Sequence, residues 1–571
     1  MYVLKKNIEI SIIYDNNVEK KTMPQDVYDK VIMLAKRRGF IYPSFEIYGG
    51  VAGLYDYGPL GSQLKNNLEN LWRYFYIYKD SCLEINTPTI TLYDVLEASG
   101  HVDEFTDLTV DCEDCKLSFK VEDIIEDESS IQQAIKDETL ICPTCGGKLI
   151  NPHPVNLMFA TKIGIGKTRD AFLRPETAQG IFTGFHLLYR YAREKLPFGV
   201  IQLGKGYRNE VSPRQGPIRM REFSMAEAEV FFDPNNKSHK NFSEVKDHIL
   251  YLYDNESEFQ LTMEDAVSKG VINNQALSYY MYLTQTILIQ GGVDPKKFRF
   301  RKHADDELAH YAEECWDAEL FSERFGWVEC VGIADRSAYD INAHIEASKT
   351  DMYAMRRYES PKIVKHKKIV PKMNILGPKL KDKAGDIKAI IDEMEVTGQI
   401  ENLTIPFEGE EYLIPKDAYD VVEVEEKEAG EKFIPHVIEP SYGIDRILYC
   451  ILEHNYKEIE KENESYHLLS LPYQMAPIKT GVFPLIKDES LTCISEKIDK
   501  TLREHGISTS YDETGTIGRR YARMDEIGTP FCITVDHDTL DDKKVTMRNR
   551  DTREQERIDI DALPDFFKKQ K

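Results

Sequence analysis

Two tight clusters carry the densest chemistry in this chain: Arg208-Asn209-Glu210 and, after a short loop, Arg221-Glu222-Phe223. Guanidinium groups bind phosphates, a carboxylate accepts from an exocyclic amine, and an aromatic face takes a base. Together they describe a nucleotide site that needs no Gly-rich phosphate loop. The elements that must position them are legible nearby. Val200-Ile201-Gln202-Leu203 reads as a strand, followed by Gly204 and Gly206, and a second apolar-leaning run goes through Met225 to Phe232. Two antiparallel strands joined by a Pro- and Arg-bearing loop would bring Arg208, Glu210, Arg221 and Phe223 together.

Three further segments have chemical potential. Phe172-Leu173-Arg174-Pro175-Glu176-Thr177-Ala178-Gln179-Gly180 is dense in polar groups between apolar ones, so its charges need a pair or a ligand. A structural Arg174–Glu176 network is the plain reading. Met225-Ala226-Glu227-Ala228-Glu229 puts two carboxylates on one strand face, suited to an ammonium, to a metal ion or to a solvated sheet face. Glu439-Pro440-Ser441-Tyr442-Gly443-Ile444-Asp445-Arg446 leads into an apolar helix, and an arginine in a first helical turn can meet a phosphate.

Cys112-x2-Cys115 and Cys142-x2-Cys145-Gly-Gly form two knuckles suited to a closed tetrahedral Zn2+ site that would fold an insert rather than catalyse. Unrelated thiols or two disulfides are the alternative. Two phosphate-loop resemblances fail. Gly164-Ile165-Gly166-Lys167-Thr168 lacks the first glycine of a P-loop, having Thr161 there, and Gly204-Lys205-Gly206 has Asn209 in place of a third glycine. Both pairs read as turn glycines.

The 571 residues allow two to four domains, and the net charge of -24 argues against a partner bearing many phosphates, DNA included, although binding depends on local basic patches. No apolar run approaches the roughly 20 residues of a membrane span, and Met1 to Lys20 has no signal-peptide core, so the cytosol is the expected compartment. Cys82, Cys315, Cys330, Cys450, Cys493 and Cys532 are scattered singly, as reduced thiols are. Helices are expected at 24–39 and 62–78, and a strand from Cys82 to Ile90 interrupted by Pro88. From about Pro477, strands alternate with helices, which is α/β logic.

The set resembles the class II aminoacyl-tRNA synthetases, whose core is a six-stranded antiparallel sheet with helices. Motif 1 would be the helix before Cys82 and the strand through Pro88, motif 2 Arg208 to Phe223, and motif 3 Gly443 to Arg446 with its helix. Within the class the chain is similar to the dimeric glycyl-tRNA synthetases of the archaeal and eukaryotic branch. That likeness rests on Gly53-Leu54-Tyr55-Asp56-Tyr57-Gly58-Pro59-Leu60-Gly61, the Arg174–Gly180 run, Asp335-Arg336-Ser337-Ala338-Tyr339-Asp340 and Glu439-Pro440-Ser441. The implied fold class is α+β: the class II antiparallel sheet with helices, helical and zinc-type inserts, and a C-terminal α/β anticodon-binding domain. Implied boundaries are 1–110 for the N-terminal part of the catalytic domain, 111–150 for the cysteine insert and 151–349 for the core with a largely helical insert at 235–300. A further insert would span 350–432, the motif 3 part 433–473 and the anticodon-binding domain 474–571.

The resemblance also implies roles. Arg208 would hold the α-phosphate of ATP, Glu210 accept from the adenine amine, Phe223 stack on the base, and Arg446 hold the γ-phosphate with Arg219 or Arg221 assisting. The implied ATP contacts also include Asn209, Ile218, Met220, Glu222, Cys330, Gly443, Ile444 and Asp445, with Glu329 and Glu439 as contacts to Mg2+ or adenosine. Glycine would be met by Glu176, Phe223, Ser224, Met225, Ala226, Glu227, Glu439, Pro440, Ser441, Tyr442 and Gly443, with Arg336 organising the pocket. Lys120 stands where the family has an arginine at a substrate-contacting position, which leaves its role open. The reaction implied is glycyl-adenylate formation followed by transfer to tRNA(Gly), in a homodimer, with diadenosine tetraphosphate synthesis as a side activity. Steric exclusion suffices to select the smallest amino acid, so no editing domain is expected. Arg519, Arg520, Arg523, Lys543, Lys544, Arg548 and Arg550 are candidates for tRNA contact on the C-terminal domain. A proline or threonine enzyme, or a catalytically dead RNA-binding relative, is the rival reading. The latter would be expected to lack Arg208, Glu210 or Arg446.

Overall fold

The computed structural model describes residues 26–125, 134, 140–213, 215–304, 307–308, 312–394, 403–407, 409–461 and 464–570. The Met1–Lys20 stretch and the start of the helix read from residue 24 lie outside these. Among the described residues, no helix is long and apolar enough to cross a membrane. The chain forms two compact units, one of residues 185–196 with 349–435, the other of the remainder.

The larger unit is organised by a nine-stranded sheet. Its strands are β1 (Leu83–Glu84), β2 (Phe198–Tyr207), β3 (Glu222–Phe232), β4 (Ile249–Tyr253), β5 (Glu258–Thr262), β6 (Phe298–Lys302), β7 (Glu314–Ser322), β8 (Gly326–Ser337) and β9 (His436–Gly443), in the spatial order β5-β4-β6-β7-β8-β9-β3-β2-β1. The six strands from β6 to β2 pair antiparallel throughout. β1 joins one edge in parallel with β2, and β4 joins the other in parallel with β6. Residues 235–300 are therefore less helical than their sequence suggests, because three of their segments extend this sheet.

Alternation along β3 separates core from site. Ala226, Ala228 and Val230 enter the apolar core. Glu227 and Glu229, on the other face, are also buried, at 1% and 0% exposure, so the solvated-face reading fails. On the core side lie α3 (Gln275–Gln290) and α5 (Ile444–Asn455), with α1 (Val27–Arg38), α2 (Pro59–Arg73) and α4 (Tyr339–Ser348) completing the named helices. α3 is apolar nearly all round (Leu277, Tyr280, Met281, Leu283, Ile287, Leu288) and is buried accordingly. Asn274 caps its first turn by accepting from the Leu277 N–H at 2.8 Å.

Two expected elements differ. The Cys82–Ile90 strand is two short strands in different sheets, Leu83–Glu84 and Ile90–Leu92, because Pro88 lies between them and cannot extend a ladder. Gly204 and Gly206 lie inside β2 and not in a turn. A Cβ on Gly204 would stand 2.2 Å from an Arg174 guanidinium nitrogen, and one on Gly206 2.7 Å from the Phe223 ring, so close approach explains them. Gly164 and Gly166 do turn the chain, at φ 93° and 88°, between strands Phe159–Ile163 and Arg169–Leu173.

Thr106–Cys112, Ser118–Lys120 and Leu149–Asn156 make a three-stranded sheet around the cysteine knuckles. The C-terminal segment forms a mixed five-stranded sheet with its own core of Val482, Leu491, Ile498, Leu502, Ile533 and Val545. In the smaller unit a long ribbon, Ala354–Pro371 against Tyr419–Phe433, carries a separate core that includes Ile369, Leu376, Ile387, Leu403 and Ile414.

Candidate active site

The loop clusters meet as their spacing suggested. Gly206 pairs with Phe223 and Tyr207 with Glu222, and the Arg208 N–H donates to the Arg221 carbonyl at 3.0 Å. The Arg208 guanidinium lies between two aromatic rings, 5.1 Å from Phe105 and 5.3 Å from Phe223, and donates to the Pro175 carbonyl at 3.4 Å. Arg446 arrives from the first turn of α5, which starts directly at Gly443, where β9 ends. It donates to the carbonyls of Ile218 (3.0 Å) and Glu329 (2.8 Å). Asp445 is buried beside it, accepting from Tyr57 and from the Ser224 N–H.

Arg208, Phe223, Ser224, Gly443, Asp445 and Arg446 line one cavity with Glu210, Ile218, Arg219, Met220, Glu329, Cys330, Met225 and Ser441. Arg219 contributes a guanidinium there. Arg221 does not line it, because its nitrogens are taken by the carbonyls of Ala52 and Glu210. Asn209, Glu222 and Ile444 also stand outside: Glu222 faces Lys205 at 3.5 Å and Ile444 is in the core.

Ser441 links this cavity to a second, buried region. Its hydroxyl donates to Glu227 at 2.8 Å, and Glu227 also accepts from the N–H and hydroxyl of Thr177. Glu176 meets His101 Nε2 at 3.4 Å and accepts from Gln179 at 2.9 Å. Arg336 makes a two-point pair with Asp340 (2.7 and 2.8 Å) and a third bond to Glu439 at 2.6 Å. Glu229 is fully buried and neither of its oxygens has a partner among the described residues.

Charge explains the titration of this cluster. Burial opposes ionisation of Glu176, but His101, Arg336 and Gln179 outweigh it and hold that carboxyl well below the usual range. Burial and the Glu176 charge raise Glu227, despite its three donors. Burial and Glu439 push the Glu229 carboxyl far up, toward its neutral form. Glu439 is raised to about 7 by burial, against the pull of Arg336. Carboxyl groups outnumber the two cations, Arg336 and His101, and the region suits a small ammonium.

Several expectations change. Arg174 donates to the carbonyls of Lys205 and Thr87, at 2.9 and 3.0 Å, and Glu176 pairs elsewhere, so the Arg174–Glu176 network is absent among the described contacts. Ala226 and Tyr442 turn into the core, where Tyr442 bonds Thr284 at 2.7 Å, because strand alternation sends them to the opposite face. Pro440 is likewise buried, in the strand beside Ile333. Glu439 serves Arg336 in the acidic region and does not line the cavity. Lys120 is engaged by Asp107 (3.0 Å) and Glu122 (2.7 Å). His101, Thr177, Gln179, Asp340 and Phe105 went unassigned, and only the polar run at 172–180 and the Asp335–Asp340 segment hinted at three of them.

The four cysteine sulfurs lie within 4.8 Å of one another, with Cys112–Cys145 at 3.4 Å and Cys115–Cys142 at 3.7 Å. Sulfurs about 2.3 Å from one Zn2+ stand about 3.8 Å apart, so the set fits that ion. The Cys115 and Thr144 N–H groups donate to the first sulfur of each knuckle at 3.4 Å.

On the C-terminal domain, Arg520, Arg548 and Arg550 are not surface cations. They are 2%, 7% and 3% exposed, held by backbone carbonyls and by Asp525 and Asp551. Arg519, Lys543 and Lys544 are exposed, and Arg523 is half-buried on Asp512.

A six-stranded antiparallel core with one arginine just past the end of β2 and another in the first turn of α5, both lining one cavity, is the arrangement of a class II synthetase, and the sequence agrees. Residues 162–455 match the family described as tRNA synthetase class II core domain (G, H, P, S and T), and residues 477–570 match the Anticodon binding domain. The chain belongs to the glycine–tRNA ligase family. It is 46% identical to the Glycine–tRNA ligase of Methanocaldococcus jannaschii, across 96% of this chain and 99% of that one. It is also 46% identical to that of Thermococcus sibiricus, across 95% and 98%. Among solved structures, the fold resembles one described as the RNA binding domain of threonyl-tRNA synthetase from Cryptosporidium parvum Iowa II (TM-score 0.52, 16% identity, 95% of this chain and 98% of that one). It also resembles Giardia lamblia prolyl-tRNA synthetase in complex with prolyl-adenylate (TM-score 0.52, 14% identity, 94% and 74%).

Proposed function

We propose that this chain activates glycine with ATP and transfers it to tRNA(Gly). The observation that carries this reading is the meeting of two sites at Ser441, which lines the arginine cavity and hydrogen-bonds Glu227 in the acidic region. An amino acid whose ammonium sits among Glu176, Glu227 and Glu439 would turn its carboxylate toward the cavity. Ser441 would close the space beside the α-carbon, which would select glycine by exclusion.

Arg208 aligns the α-phosphate and disperses the charge that builds there as the glycine carboxylate attacks, and Arg446 holds the far end of the triphosphate. Mg2+ comes with ATP and supplies charge neutralisation, with Glu329 beside Arg446 (3.7 Å) as its protein contact. Phe223 offers the adenine a face. Zn2+ on the four cysteines would cross-link the insert. Of the candidate cations on the C-terminal domain, Arg519, Lys543 and Lys544 are exposed and accessible to tRNA. We assign a homodimer and the cytoplasm, where charged tRNA is consumed. Attack of a second ATP on the adenylate would give diadenosine tetraphosphate.

ATP–pyrophosphate exchange with a panel of amino acids tests the reading. Exchange should depend on glycine and be absent with alanine, proline and threonine. Exchange driven by proline or threonine, or none at all, would sink it.

A further inference from the structure

The four-cysteine insert touches the β2–β3 loop at two points, one of them a residue of the nucleotide cavity. The Ser212 hydroxyl donates to the Ser118 carbonyl at 2.5 Å, and the Arg219 Nη1 donates to Asp123 Oδ2 at 2.8 Å. Ser118 opens the strand Ser118–Lys120, and Asp123 closes the short helical turn that follows, so the insert grips the β2–β3 loop on both sides of that strand. Lys120, between them, is engaged by Asp107 and Glu122, which leaves Asp123 to Arg219.

Arg219 is thereby fixed at two nitrogens. Its Nε meets Glu210 Oε2 at 3.3 Å and its Nη1 meets Asp123, and its side chain is only 21% exposed. Nη2 is the donor that neither carboxylate occupies. A guanidinium fork held at two corners keeps its third in a fixed place, and ATP then need not order a long side chain.

We propose that Asp123 is a positioning residue for the nucleotide: with Glu210 it sets the Arg219 guanidinium facing the cavity, ready for the triphosphate. This rests on the ATP-dependent reading above. Glu210 meets Arg219 through one oxygen alone. When it turns to the adenine amine, Asp123 is the carboxylate that keeps Arg219 in place. The insert is then part of the nucleotide site and not an appendage beside it.

The test is ATP–pyrophosphate exchange by the full chain carrying Asp123→Asn. KM for ATP should rise about three- to tenfold, while kcat and KM for glycine stay within about twofold. In an Arg219→Ala background the same substitution should change nothing further, and Asp123→Glu should restore part of the loss. Melting temperature and bound-metal content should match wild type. An unchanged KM for ATP, or an equal effect in the Arg219→Ala background, overturns the proposal. So does a joint fall in kcat and melting temperature, which marks a merely structural role. A wild-type chain without glycine-dependent exchange would instead overturn the functional reading itself.

Discussion

Two arginines show how differently the halves of the site are built. Arg446, in the nucleotide cavity, is held by two backbone carbonyls and keeps 36% of its side chain in solvent. Arg336, in the acidic region, is 3% exposed and locked to Asp340 and Glu439. A guanidinium on neutral carbonyls can exchange them for phosphate without uncovering a charge. One buried between carboxylates cannot be altered alone, because each partner left behind is an unpaired charge out of water. At Arg446 the cavity is therefore set up for replaceable contacts, and the acidic region for a fixed mould into which one small cation fits.

Substitutions can break or sharpen that contrast. The largest effect should come from Arg208→Ala: exchange should fall on the order of 100-fold or more, with melting temperature close to wild type. A loss of fold with the activity would show the cavity to be as interlocked as the pocket. Glu227→Ala should follow, raising KM for glycine about ten- to a hundredfold and also lowering melting temperature, since Thr177 and Ser441 lose their acceptor. Calorimetry beside kinetics separates the two effects, and an unaltered melting temperature would count against the fixed mould.

Acidity should act next. Glu439 titrates at about 7, against an ordinary value of 4.5. Glycine's ammonium stays charged across this window, so binding should strengthen as pH rises toward 7 and level off above it, by up to about tenfold per unit below. Stability of the empty protein runs the other way. The raised carboxyl favours the folded state while protonated, and that contribution disappears as pH rises from 4.5 through about 7. Glycine titrations and unfolding curves at several pH values check both signs. The smallest effect belongs to Glu229→Gln. If Glu229 is a neutral acid, the amide replaces it with less than about a twofold change in KM for glycine. A strong loss would mean that Glu229 carries charge.

How much of this was readable in advance follows from sequence distance. Arg208, Glu210 and Phe223 fall at the two ends of one hairpin loop, so periodicity and residue type were enough to bring them together. The His101–Glu176 contact and the Arg336–Glu439 bond, the latter spanning 103 residues, join segments that only the folded sheet makes neighbours. Glu176 and Glu439 stood out by residue type, but their partners did not. Arg520, Arg548 and Arg550 misled for another reason. Arginine in an acidic chain invites a surface reading, whereas these three are buried polar struts of the C-terminal domain. Asp123 sits in a polar insert where an aspartate carries no signal until the loop it touches is known.

Glu227 and Ser441 are cross-strand partners, and so are Ala226 and Tyr442, one pair facing the acidic region and the other facing hydrocarbon. A slip of a single residue in this ladder would exchange the two sets, turning carboxylates into the interior and alanines toward the substrate. Misassembly here would give no partly active species, because the contact that places the substrate-binding groups is the same one that closes the core. For this sheet, correct strand pairing and catalytic competence are a single event.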